Sequence, residues 1–176
     1  MKKTFLLLLV TLVTISCSSD DSSNSSNNTN NTISLKLNGV DQVATIESAS
    51  LIKYQSSNEQ LLQIFAENND YVFQLNFFGD YSSNNTLPTG DYVYTDILPE
   101  GYFYVSYKLN GNTYGMHSPD SGTLNISSMN GSTNTVSGTF NQILTGGGEL
   151  NGQTLPTTLN ITNGVFNNIE FDVYEY

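Results

Sequence analysis

Tyr71-Val72-Phe73-Gln74-Leu75-Asn76-Phe77 is the stretch that decides the fold class. An aromatic or aliphatic side chain stands at every second position, which is the period of a β-strand with one face in a core. The same spacing recurs at Ile33, Leu35 and Leu37, at Leu124 and Ile126, and at Ile169, Phe171 and Val173. Polar residues fill most of the alternate positions, as on a sheet with one wet face. From Ile33 onward no stretch carries the spacing of an amphipathic helix.

Five Asn-Gly dipeptides punctuate these runs: Asn38-Gly39, Asn110-Gly111, Asn130-Gly131, Asn151-Gly152 and Asn163-Gly164. Asn-Gly suits a type I′ turn, whose two central residues both need positive φ, so each pair marks a hairpin. Strands are expected near 33–38, 42–48, 50–56, 60–67, 70–78 and 91–97. Three hairpins follow. Tyr102–Leu109 returns along Asn112–His117, Gly122–Met129 along Thr133–Leu144, and Thr157–Thr162 along Val165–Val173 with Asn167-Asn168 as a bulge. The expectation is an all-β fold: a single antiparallel β-sandwich or barrel-like domain with hairpin connections over residues 33–176. Gly79–Gly90 and Thr145–Gln153 are too long for hairpin links, and the second holds the mobile-looking Gly146-Gly147-Gly148. Loops of this kind on β scaffolds commonly carry binding functions.

The first residues carry an address. Lys2 and Lys3 precede an apolar run from Phe5 to Ile15, too short for a span that needs roughly 20 residues but suited to a secretory signal. The run ends at Ser16-Cys17, the only cysteine of the chain. A small residue before a lone cysteine at this place looks like a lipoprotein signal over residues 1–16, cut before Cys17 and lipidated on its sulfur. Thr14 stands where such signals usually carry leucine. Residues 17–32 are then the lipidated cysteine and a Ser/Asn-rich tether, with no apolar residue between Ser18 and Thr32 to offset the entropy of ordering. Ser18-Ser19-Asp20-Asp21 resembles an acidic surface-export signal. The expected location is the cell envelope, held by acyl chains to a bacterial membrane, the outer one.

Charge and composition exclude several functions. Sixteen acids face five lysines, arginine is absent, and the formal charge of −11 becomes −13 once Lys2 and Lys3 leave with the signal. No basic face exists for a nucleic-acid backbone. One cysteine and one histidine cannot form a disulfide or a zinc or iron–sulfur site of several Cys or His ligands. No cofactor is expected.

The folded part resembles a family of small, uncharacterised all-β lipoproteins of Bacteroidota. The matching stretches are Pro88-Thr89-Gly90-Asp91-Tyr92, Gly122-Thr123-Leu124-Asn125-Ile126, Val136-Ser137-Gly138-Thr139-Phe140 and Asn163-Gly164-Val165-Phe166-Asn167-Asn168-Ile169, with Leu37-Asn38-Gly39 at the start. Where the family often has a second aromatic after Phe140, this chain has Gln142. The resemblance implies a lipoprotein and an all-β domain, and no activity.

The chemistry points to binding rather than catalysis. His117, ahead of a turn with Pro119, is an ordinary exposed or hydrogen-bonded residue, and without another histidine a Ser-His-Asp arrangement has no second chance. Asp91, Asp96, Glu100 and Asp120 are the carboxylates from which a glycan hydrolase would draw its pair. Asp80 and Asp91, with Asn84 and Asn85, are the weak calcium candidates, and Asn68, Asn69 and Asp70 supply similar oxygens. Tyr92, Tyr94, Tyr102 and Tyr104 are the ligand-binding candidates, a platform for sugar rings if one sheet face is left open. A lipocalin-like barrel with a small apolar ligand is the other binding variant. The expected function is a non-enzymatic binding or structural module, with a glycan, a small molecule or a protein as its ligand.

Overall fold

The computed structural model describes residues 31–95, 100–110, 112–150 and 152–176. The signal, Cys17 and the tether up to residue 30 lie outside the described residues. The described residues form twelve strands: β1 (Thr32–Leu37), β2 (Val40–Tyr54), β3 (Glu59–Glu67), β4 (Tyr71–Asp80), β5 (Gly90–Val93), β6 (Gly101–Leu109), β7 (Asn112–Asn130), β8 (Thr135–Thr145), β9 (Gly148–Leu150), β10 (Gln153–Leu155), β11 (Thr158–Glu170) and β12 (Asp172–Glu175).

β1-β11-β8-β7-β6-β4-β3-β2 are neighbours in that order, and β1 pairs with β2 to close the circuit. The result is an eight-stranded antiparallel barrel in up-and-down order. The shorter strands are accessories. β5 pairs β7 over Thr123–Ile126, beyond the reach of the β6 ladder, which stops at His117. β12 lies parallel to β2 at Ser50–Lys53, beyond its pairing with β1. β9 and β10 form a separate ribbon between β8 and β11. Thr32 and Asn31, read as the end of the tether, belong to the barrel: Thr32 pairs with Thr45, and Asn31 exchanges backbone and side-chain hydrogen bonds with Ile46. A backbone ladder orders a residue whatever its side-chain polarity.

Asn38-Gly39 is the two-residue turn expected, with φ of 50° and 82°. Asn110 at φ 51° opens the turn from β6 to β7. Asn130-Gly131 also lies at a hairpin, but the loop runs over four residues to Thr135 and its positive-φ residue is Asn134. Four sequence expectations are overturned. Asn163-Gly164 is no turn: β11 runs through it as one strand, with a register shift between Ile161 and Gly164 and Asn163 at φ 54°. β8 is long enough to pair with both halves, so the chain has no need to reverse. The second shift, between Phe166 and Ile169, falls on Asn167-Asn168. Nor does β7 end at His117. It passes through Pro119, which pairs with Leu144 on β8 and lies where β6 has stopped pairing with β7 and β5 has not begun. Residues 42–48 and 50–56 likewise join in β2 across a shift between Ile46 and Ser48. The segment 145–153 is partly strand, since β9 and β10 pair across it. Every described non-glycine residue at positive φ is an asparagine, the side chain that tolerates the left-handed region best after glycine.

The interior is filled by rings. Phe73, Phe77, Phe103, Phe140 and Phe166 are fully buried and come from β4, β6, β8 and β11. Their centroids follow one another across the barrel, Phe73 to Phe103 at 5.9 Å, Phe103 to Phe140 at 4.9 Å, Phe140 to Phe166 at 6.4 Å, and Phe166 to Phe77 at 5.8 Å. An eight-stranded barrel is just wide enough to be filled by side chains or to hold one small ligand, and here the side chains fill it.

Candidate functional site

Because Gly101, Phe103 and Val105 point inward on β6, the alternate residues Tyr102 and Tyr104 must point outward. They stand half-buried on the outer wall, with ring centroids 4.8 Å apart and planes inclined by 59°. Phe78 on β4 extends the row, 5.4 Å from Tyr102. Phe78 faces out because it follows Phe77, which takes the inward position. The three rings form a stepped row rather than a flat plate. Burial, and next the neighbouring Tyr104, raises the pKa of the Tyr102 hydroxyl, so it is a neutral donor at ordinary pH.

Beside the row lies a cluster of amides. Asn76, cross-strand from Tyr102, is fully buried although it faces outward. Its Oδ1 accepts from Gln63 Nε2 at 2.9 Å and from Gln74 Nε2 at 3.1 Å, while its Nδ2 has no acceptor. Phe78 also forms part of the wall of a groove of about 470 Å³, which Glu59, Asp80, Asp91 and Glu100 line. Backbone pairing brings these acids together: Glu59 is cross-strand from Asp80, and Glu100 O accepts from Phe78 N at 2.8 Å.

The sequence candidates fare unequally. Tyr92 points into the barrel rather than outward, 5.4 Å edge-on to Phe77, with its hydroxyl donating to Pro88 O at 2.6 Å. Its inward place follows from pairing with Leu124, itself a core residue. Burial first, then the Glu100 charge, pushes the Tyr92 hydroxyl up to about 12. Tyr94 follows the end of β5 and is half-buried, off the row's strands. Asp80 and Asp91 share the groove, but Asp91 accepts from Asn125 Nδ2 at 2.7 Å, and Asn85 Oδ1 is turned to Lys53 Nζ at 3.0 Å. Asn68 Oδ1 is occupied by the backbone N–H groups of Asp70 and Tyr71. Among the described residues no three His, Cys, Asp or Glu side chains converge as a metal site. Asp96 lies outside the described residues, and Asp120 sits apart in a β7 register shift. Of the two expectations for His117, exposed or hydrogen-bonded, the second holds: it is fully buried, its Nε2 donates to Pro156 O at 2.6 Å, and its ring lies 5.6 Å from Tyr107. Mid-strand parity, which the expected strand end concealed, turns it inward.

Sequence reasoning missed Phe78, the amide cluster and Glu59. The doubled aromatic Phe77-Phe78 was the available signal, since alternation forces one of the two outward. These features define a class: an up-and-down β-barrel with an aromatic-filled interior and a half-buried row of rings on its outer wall. No protein-family model, no curated protein and no solved structure matches the chain.

Proposed function

We propose that the chain is a lipid-anchored lipoprotein of the cell envelope whose barrel is a non-enzymatic binding module for glycans. The observation that carries the binding part is the outer row Phe78, Tyr102 and Tyr104 beside the Gln63, Gln74 and Asn76 amides. Rings offer apolar faces to a sugar's C–H surface and amides offer its hydroxyls hydrogen bonds, the usual division between bulk contact and orientation in a ligand site. A filled interior directs the reading to the outside of the wall rather than to a lipocalin-like cavity. The anchoring part rests on Ser16-Cys17 and the polar stretch after it, and on the resemblance to lipoproteins of Bacteroidota.

Two measurements test this. Cells fed a tagged fatty acid should label the wild-type chain and not Cys17→Ala; equal labelling would sink the anchor. On a glycan array the barrel should retain at least one polysaccharide. Tyr102→Ala with Tyr104→Ala should weaken that binding about tenfold or more, which is about 1.4 kcal/mol, at an unchanged melting temperature. An array without hits, or a double variant that binds normally, would overturn the reading. One observation favours a second reading, a glycan hydrolase: Asp91 and Glu100 line the same groove. Release of reducing ends from the retained glycan, lost in Asp91→Asn, would favour it.

A further inference from the structure

The groove beside the aromatic row is acidic, and no lysine is among the described residues that line it. Four carboxylates line it: Glu59, Asp80, Asp91 and Glu100. The sequence has no arginine, and each lysine of the described residues is engaged elsewhere. Lys36 pairs with Asp41 at 2.7 Å and Lys108 with Glu67 at 2.8 Å. Lys53, cross-strand from Gln60, turns its ammonium to Asn85 Oδ1 at 3.0 Å and Glu175 at 3.7 Å, over the Tyr81 ring. Like charges around one concavity repel, and a bound cation relieves that repulsion.

A second feature points to a hydrogen-bond donor. Gln60 also lines the groove and is 1% exposed. Its Nε2 donates to Thr86 O at 2.7 Å, and its Oε1 is buried without a donor. Such an orphan acceptor is unfavourable to leave unpaired, and a donor from a ligand would satisfy it. Carboxylates and an unpaired carboxamide oxygen are all acceptors, so the complementary group is a positively charged donor. The acids stand around the groove and do not converge as a metal site, whereas an ammonium needs only one or two of them.

The groove and the platform share Phe78, and from there the row leads to Tyr102 and Tyr104. We propose that the groove is an ammonium subsite, and that the barrel's ligand is a glycan with free amino groups, of the polyglucosamine type. The amine of one unit sits among the acids and the rings of its neighbours lie on the aromatic row. This rests on the glycan reading of the row.

The test is titration calorimetry of the mature chain with a glucosamine hexasaccharide, its fully N-acetylated counterpart and spermidine. The free-amine hexasaccharide should bind about tenfold or more tightly than the acetylated one, with the advantage shrinking as salt rises. Glu59→Gln with Asp80→Asn should abolish the advantage and leave binding of the acetylated sugar unchanged. Asp70→Asn with Glu149→Gln, which removes the same charge at the far end of the barrel, should preserve it. Equal affinity for the two sugars overturns the ammonium subsite and leaves the glycan reading standing. An equal loss in the distant pair, or spermidine as tight as the hexasaccharide, also overturns it, because net charge alone then explains the attraction. No binding of either sugar removes both proposals.

Discussion

Phe140→Ala should destabilise the barrel by about 3–5 kcal/mol, the range for truncating a buried aromatic. Phe140 is fully buried at the crossing of the barrel, 4.9 Å from Phe103 and 6.4 Å from Phe166. Its ring also lies over a glycine: Gly164 is its cross-strand partner on β11, and a Cβ there would run into the Phe140 ring. The neighbouring pair is reversed, with Phe166 opposite Gly138, where a Cβ would meet the Asn125 carbonyl oxygen first and then the Phe166 ring. Two interlocked Phe–Gly pairs thus join β8 to β11. Removing the Phe140 ring empties the space over Gly164, which has no side chain to fill it. The same geometry makes a coupling. Gly164→Ala alone should cost about 1–3 kcal/mol by overpacking, and should cost close to nothing in the Phe140→Ala background. Urea melts of the four proteins give both terms; an equal cost of Gly164→Ala in the two backgrounds would show that the ring is not what forbids the side chain.

Gly164 also shows where the sequence stops being legible. In Asn163-Gly164 the glycine is present for space and the asparagine for φ, so the pair has the composition of a turn without being one. Whether a chain reverses or bulges there depends on the length of the partner strand, and β8 lies some twenty residues upstream. Alternation within Tyr71–Phe77, by contrast, is local, and it correctly gave both the strand and its inward face. Closure of the barrel was out of reach for the same reason as the bulge: β1 meets β11, as in Ile33 with Phe166, and no local signal spans that distance. The site follows the rule. Tyr102 and Tyr104 share a face by parity, but only the inward Phe103 and Val105 say which face. Glu59, Asp80, Asp91 and Glu100 come from separate stretches and meet only because β3, β4 and the ends of β5 and β6 are brought side by side.

Gln142→Met should raise the unfolding midpoint, by about 1–3 kcal/mol in stability. Gln142 points into the barrel from β8 between the inward residues Phe140 and Leu144. It is 2% exposed, and neither Nε2 nor Oε1 has a partner. Its cross-strand neighbours are Gly122 on β7 and Ile161 on β11, whose side chains offer it no polar group. A buried carboxamide with nothing to bond loses its hydration and gains only dispersion. Methionine keeps the unbranched shape and nearly the volume, so it removes the orphaned atoms without opening a cavity or forcing a new rotamer. The effect therefore has the opposite sign to most core substitutions, which makes it a sharp test of the packing. A fall in the urea midpoint would overturn the inference and show that the carboxamide is satisfied in solution, as by an internal water with partners on both sides. A rise confined to Gln142→Met, and absent from the drastic Gln142→Ala, would separate the relief of unpaired polar atoms from any general tolerance of change at that position.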